Sequence, residues 1–155
     1  MIYEQDFHLW LEDTIQKLTH HQFSELDVEH LIAELQDLGK SDKNALESNL
    51  MILLAHLLKL TIQADAPEMI KGSWYSSVDE HRQRVLSQLA EIPSLKSYLE
   101  TALIKAYPRS RKLAIKEGKR ASFGIRIPAE SEYPDHCPFP LDSILSEDFY
   151  GGSAE

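Results

Sequence analysis

The sequence has very little with which to build a disulfide, a membrane span or a familiar catalytic site. A single cysteine, Cys137, occurs among 155 residues, which excludes an intramolecular disulfide scaffold. The longest apolar run, residues 50–62, covers 13 residues, whereas a membrane-spanning helix needs about 20. No HExxH motif and no CxxC pair occurs in the chain. We therefore expect no membrane contact and no cofactor, and we find no recognisable catalytic motif.

The N-terminal residues also lack the features of a secretory signal. A signal begins with positive charge and continues into an apolar run, but Glu4 and Asp6 make this N-terminus acidic. A cytoplasmic location is therefore expected. With 43% hydrophobic and 26% charged residues, the composition is that of a globular domain with a real core, not of a disordered chain.

Helical periodicity runs through most of the chain. Apolar residues at spacings of three and four, with caps or breakers at the ends, predict five helices: 4–18, 27–39, 42–64, 77–92 and 94–117. Asp27 is the expected N-cap of the second helix, and its apolar stripe is expected to enter the core. A loop at 71–75 should precede a fourth helix that begins at a Ser77–Glu80 capping box. Pro108 should kink or divide the fifth helix.

The helical pattern ends near residue 122. The last 34 residues hold four of the seven prolines and three of the six glycines, which predicts turns and extended segments. Five apolar residues are expected to lay this segment over the helices: Phe123, Ile125, Phe139, Leu141 and Leu145. The fold prediction is all-α: an antiparallel bundle of four to five main helices (1–121) with an irregular C-terminal tail (122–155), forming one domain overall.

Several short sequence blocks occur in an order typical of one family. They are Tyr3-x-x-Asp6-x-x-x-Trp10, Leu31-Ile32-x-Glu34-Leu35, Leu53-Leu54-x-His56-Leu57-Leu58-Lys59, Pro93-Ser94-Leu95 and Cys137-Pro138-Phe139. With these blocks the chain resembles the mostly cyanobacterial domain-of-unknown-function 29 family over nearly its whole length. The resemblance implies a compact helical bacterial protein, and it supplies no catalytic residue because the family has no assigned activity. Ala33 and Gln36 stand where that family is expected to carry acids.

The third predicted helix is apolar around most of its circumference and has one narrow polar stripe. At 100° per residue, its polar side chains fall within an arc of about 80°: Asn49, His56, Lys59 and Gln63. The stripe could face solvent, or His56 could be a buried, hydrogen-bonded histidine. Alternatively, the four residues form a polar cleft in which His56 acts as a base and Lys59 holds an anion, as in a hydrolytic enzyme.

A metal site is a further alternative. His30 and Glu34 are four residues apart, so they share a helical face and could ligate a first-row metal. Such pairs are also common on solvated helices, and no second ligand motif supports the site. The leading expectation is therefore that the protein holds no metal, with His30 and Glu34 as weak candidates.

Trp74 and Tyr75 form an aromatic pair within the predicted loop. Loops often carry recognition residues, so the pair could be a binding platform. The alternative is that Trp74 folds back and closes one end of the bundle. Arg82, on the next helix, is expected to pair with surface carboxylates.

The net charge of −9 is unevenly distributed. Residues 105–126 carry eight basic side chains against Glu117 alone, whereas residues 127–155 carry seven acids and no Lys or Arg. This basic segment could bind nucleic acid, bind an acidic protein, or be neutralised by the acidic tail.

The function best supported by the sequence is a non-catalytic module that binds another protein. The candidate binding surface combines the aromatic pair with basic side chains: Trp74, Tyr75, Arg82, Arg109, Arg111, Lys112 and Lys116. A metal-binding or hydrolytic enzyme is the first alternative, and nucleic-acid association through residues 105–126 is the second. A homodimer is left open.

Overall fold

The computed structural model describes residues 2–120 and 126–152, and 78% of these residues are helical. No strand occurs in the described ranges, so the all-α prediction is confirmed. The helices are α1 (Ile2–Gln5), α2 (Phe7–Thr19), α3 (Val28–Ile62), α4 (Glu68–Glu91), α5 (Leu99–Arg120) and α6 (Leu141–Ile144). Three 3₁₀ turns connect them at Phe23–Glu25, Pro93–Tyr98 and Glu130–Glu132.

Several of the predicted helix boundaries are wrong. α3 continues through Gly39 and Ser41, so the second and third predicted helices are one 35-residue helix. α4 continues through residues 71–75, which removes the predicted loop and places Ser77 inside a helix, where it cannot form a capping box. Glycine and serine cost a helix only about 1 kcal/mol or less, and neighbouring good helix formers override them. The boundary at Pro67 is real, because α4 begins at the next residue.

Pro108 lies inside α5 without ending it. Proline removes the hydrogen bond to the carbonyl four residues earlier, which here belongs to Ile104. The Ile104 residue is 73% exposed, so water can replace the missing donor on that side of the helix. The expected division of this helix is therefore wrong.

The chain forms two compact units, residues 1–42 and residues 43–155, called here the N-terminal unit and the C-terminal unit. In the N-terminal unit, Asp6 caps α2 by accepting a hydrogen bond from the Leu9 amide at 3.0 Å. Asp27 accepts from the His30 amide at 3.3 Å, at the start of α3, so its predicted capping role is confirmed. The predicted division between bundle and tail, at 121/122, lies outside the described residues.

The core of the C-terminal unit surrounds the second part of α3. Its fully buried leucines are Leu46, Leu50, Leu53, Leu54, Leu57 and Leu58. α5 contributes small buried residues, Ala102, Ala106 and Ala114, as a helix packed at close range requires. Phe139 from the tail is buried against the same core. Two more expected tail anchors, Leu141 and Leu145, are partly buried and pack against it. Phe123 and Ile125 lie outside the described residues.

Candidate functional site

The structure divides the predicted polar stripe of α3. Asn49 lines an open groove of about 520 Å³ between α3 and α4, together with Glu80 and Arg84. Lys59 and Gln63 are only 6% and 5% exposed, and neither lines that groove. The four residues therefore do not share one cleft, and the chemistry of each has to be considered separately.

His56 belongs to a small cluster with Ser77 and His81 of α4. The Nδ1 atom of His56 lies 2.9 Å from the Ile52 carbonyl oxygen, and Nδ1 of His81 lies 2.8 Å from the Ser77 carbonyl oxygen. A carbonyl only accepts, so both Nδ1 atoms carry hydrogen. The Ser77 hydroxyl, 3.3 Å from each Nδ1, accepts from them and is not deprotonated. Ser77 is therefore not an activated nucleophile.

His56 keeps one basic position. Because Nδ1 is a donor, Nε2 of the neutral ring is the free acceptor. Burial lowers the pKa of His56, and the nearby Lys59 and His81 lower it further. The ring is accordingly neutral near pH 7.

Lys59 is a buried cation of the C-terminal unit. Its ammonium forms an ion pair with Glu117 of α5 and lies 5.5 Å from the centroid of the Trp74 ring. Burial nevertheless lowers the pKa of Lys59 to about 8. Glu117 keeps 37% of its side chain exposed, so water weakens the ion pair and burial has the larger effect.

The lowered pKa of Lys59 predicts a specific pH dependence of stability. Between pH 8 and 10.5 the unfolded chain binds a proton that the folded chain lacks, so the free energy of unfolding should rise with pH across this window. In Lys59→Met this contribution is absent. The difference in stability, wild type minus variant, should therefore grow from pH 7 to pH 10 in urea titrations. A flat difference across this pH range would contradict the prediction and would show that Glu117 holds Lys59 fully charged.

Trp74 and Arg82 are not part of an exposed binding surface, which corrects two predicted contact residues. Trp74 lies within α4, is 6% exposed, and packs in the core, in line with the alternative of a buried tryptophan. Arg82 is 1% exposed and donates to the carbonyls of Ile144, Glu147 and Phe149 at 2.8, 3.3 and 2.5 Å. Its role is to hold the tail against α4.

Nothing in the sequence indicates that Tyr133 has a buried hydroxyl beside α5. Tyr133 is 2% exposed, and its hydroxyl has no hydrogen-bond partner among residues 2–120 and 126–152. A Cβ atom placed on Gly118 would lie 2.7 Å from this oxygen. The close approach of the tail to α5 thus depends on glycine at position 118. The prediction that this helix ends at residue 117 is wrong, because α5 continues through Gly118 to Arg120.

The acidic tail neutralises part of the basic segment. Lys119 pairs with Glu130 at 2.8 Å, and Arg126 pairs with Glu132 at 2.8 Å. Arg111 donates to the Tyr133 carbonyl at 3.2 Å and lies 3.7 Å from the Asp135 carboxylate.

Three further cations of α5 have no ion-pair partner within the described residues. These cations, Arg109, Lys112 and Lys116, line an open groove of about 380 Å³ whose apolar part is formed by Met51 and Leu113. This groove is the positive surface that the tail leaves open.

The two candidate metal ligands in the N-terminal unit, His30 and Glu34, already contact other side chains. The Tyr3 ring stacks on His30 with centroids 3.9 Å apart, and the Tyr3 hydroxyl donates to Glu34 at 2.5 Å. This hydrogen bond raises the pKa of Tyr3 to about 12. His30 Nδ1 lies 2.5 Å from the Asp27 carboxylate and lowers the pKa of that group. In the parts of the chain that the structure describes, no three His, Cys, Asp or Glu side chains could jointly hold a metal.

The N-terminal unit exposes most of its large apolar side chains. The stripe predicted to enter the core consists of Val28, Leu31, Ile32, Leu35 and Leu38. Leu31 is partly buried, but the other four, called here the α3 stripe, are 50–65% exposed. The prediction of a buried stripe is wrong because α1 packs on a different side of α3, where Tyr3 meets His30 and Glu34.

Residues 2–150 match the family model described as domain of unknown function DUF29. The chain belongs to the DUF29 family. No curated protein and no solved structure gives a significant match. Membership of DUF29 confirms the resemblance seen in the sequence, and it leaves the role of the chain to be argued from its surfaces.

In this DUF29 chain, α3 is long and apolar enough, by length and composition, to cross a membrane. Half of its most apolar stretch is buried inside the protein. The core helix of a soluble protein passes the same test, so the helix is weak support for a membrane location.

Proposed function

We propose that this DUF29 protein is a non-catalytic, cytoplasmic module that binds another protein through its N-terminal unit. One observation carries the proposal. Fourteen large hydrophobic side chains are exposed among residues 2–120 and 126–152, and ten of them lie in this unit: Ile2, Phe7, Leu9, Ile15, Leu18, Phe23, Val28, Ile32, Leu35 and Leu38. The unit holds fewer than a third of the residues, so exposed apolar surface is concentrated there.

The amount of apolar surface is sufficient for a specific interface. With each of the ten side chains 40–65% exposed, the unit presents roughly 700 Å² of apolar surface, close to the ~800 Å² that one partner contributes to a standard interface. A binding partner would remove this surface from water.

The α3 stripe gives this interface its geometry. Its members are spaced by four, three and three residues, which aligns them along one side of a helix, as in helices that dock in an apolar groove. The N-terminal unit carries ten carboxylates and two lysines, a net charge of −8. The expected partner therefore offers an apolar groove with a basic rim.

Site-specific photo-crosslinking in the native host tests this proposal. A photoreactive residue at Leu35 should give a defined adduct with another protein, and Leu38→Lys should reduce its yield at least fivefold. The matched control is a photoreactive residue at Met69, which is 92% exposed but lies in the C-terminal unit. Equal adducts at both positions, or none at Leu35, would contradict the proposal.

The two alternatives have weaker support. A hydrolytic enzyme would need His56 and Lys59 in one open cleft, but Lys59 is buried between Glu117 and Trp74. A metal protein would have to separate His30 and Glu34 from their present partners. Nucleic acid would have to bind mainly through Arg109, Lys112 and Lys116, against an overall charge of −9.

A further inference from the structure

Two helical ridges of this chain each combine apolar side chains with charged ones, and the charges of the two ridges have opposite signs. The α2 ridge consists of Leu9, Glu12, Asp13, Ile15 and Gln16, which line an open groove of about 390 Å³. Leu9 and Ile15 are 49% and 59% exposed, so the apolar part of the ridge faces water. Glu12 is exposed and has no ion-pair partner in the described residues, whereas Asp13 pairs with Lys17 at 2.8 Å.

The α5 ridge is the positive counterpart. It consists of Arg109, Lys112, Leu113 and Lys116, which line their groove together with Met51 of α3. Positions 109, 112, 113 and 116 follow the i, i+3, i+4, i+7 pattern of a single helix face. The α2 ridge follows nearly the same pattern at 9, 12, 13 and 16, so two helices of matching periodicity carry opposite charge.

We propose that the α2 ridge of one copy of this chain docks on the α5 ridge of a second copy. Glu12 and Asp13 would lie against Lys112 and Lys116, while Leu9 and Ile15 would cover Leu113 and Met51. Ridges formed by side chains three and four residues apart fit the grooves of a facing helix. Charge complementarity selects this pairing, because two α2 ridges or two α5 ridges would repel each other.

A second copy is the occupant that the charges on this chain specify. Both complementary surfaces belong to one sequence, so every copy brings a match for each. The contact is between different patches, and it closes into a dimer when each copy gives its α2 ridge to the other's α5 ridge. The α2 ridge shares Leu9 and Ile15 with the exposed apolar surface counted above, but it does not use the α3 stripe. The inference names a second partner surface beyond the proposed function, and it is tested separately from the crosslinks at Leu35.

Sedimentation velocity of the full chain at 5–200 µM provides the first test. The wild type should associate reversibly, and raising NaCl from 50 to 500 mM should weaken the association at least fivefold, because exposed charges are screened. Glu12→Lys, or Lys112→Glu with Lys116→Glu, should each weaken it at least tenfold. The exposed controls Glu100→Lys and Lys96→Glu, which lie outside both ridges, should leave it unchanged.

Mixing the two charge-reversed proteins is the decisive measurement. Each repels itself, but together they restore both contacts, so the mixture should form heterodimers with an affinity within threefold of the wild type. A wild type that stays monomeric to 200 µM, or a mixture that does not associate, would overturn the inference. Association that survives both reversals would also overturn it and would assign self-association to another surface, leaving the proposed function to its own test.

Discussion

Replacing Arg82 with methionine should lower the free energy of unfolding by about 3–5 kcal/mol. The guanidinium is 1% exposed and donates to the carbonyls of Ile144, Glu147 and Phe149. Methionine fills much of the volume but donates nothing, so these carbonyls lose their charged donor. Hydrogen bonds to charged groups contribute about 1.5–3 kcal/mol each, and the effects are not fully additive.

Urea unfolding monitored by circular dichroism measures this loss, and limited proteolysis shows where it acts. Cleavage within residues 141–152 should become at least tenfold faster in Arg82→Met, because the tail loses its attachment to α4. Arg84→Met is the matched control: Arg84 is an exposed arginine two residues away, and in the part of the chain that the structure describes its ion pair is with Glu80, at 2.7 Å. It should cost under about 0.5 kcal/mol. Equal losses in both variants would contradict the role assigned to Arg82.

The role of Arg82 could not be predicted from local sequence. A basic residue on an amphipathic helix is normally solvated, and the partners of this one lie 62–67 residues further along the chain. Tertiary packing determines which helix face the tail covers, and helical periodicity contains no information about tertiary packing. The same limit applies to Lys59, whose burial depends on Trp74 from another helix.

The helices themselves were predictable because their periodicity is local. The all-α class, the Asp27 cap and the boundary at Pro67 all follow from short-range physics. Glycine and serine are weaker breakers than proline, which explains why Gly39 and Ser41 do not end α3. The α3 stripe was recognised as apolar, but periodicity cannot show whether the surface that covers it belongs to the same chain.

Gly118→Ala should lower the free energy of unfolding of the wild type but raise that of the Tyr133→Phe variant. In the wild type, the new Cβ would meet the Tyr133 hydroxyl at 2.7 Å, and the ring is too buried to move aside freely. Overpacking of this kind costs about 1–3 kcal/mol. In Tyr133→Phe that oxygen is gone and the next ring atom, Cζ, lies at 3.9 Å, which is ordinary contact. The better helix propensity of alanine, about 1 kcal/mol, should then make Gly118→Ala stabilising.

A double-mutant cycle in urea measures this coupling. The helix propensity of alanine acts in both backgrounds and cancels, so the coupling should equal the overpacking cost of about 1–3 kcal/mol. Tyr133→Phe alone should be neutral or stabilising, because its hydroxyl has no partner among the described residues. Tyr107→Phe is the control: the Tyr107 hydroxyl donates to the Pro134 carbonyl at 2.5 Å, so its loss should cost about 1 kcal/mol. If Gly118→Ala has the same effect in both backgrounds, the tail does not approach α5 at Gly118. A destabilising Tyr133→Phe would mean that the hydroxyl has a partner in solution, such as an ordered water bound beside Gln63.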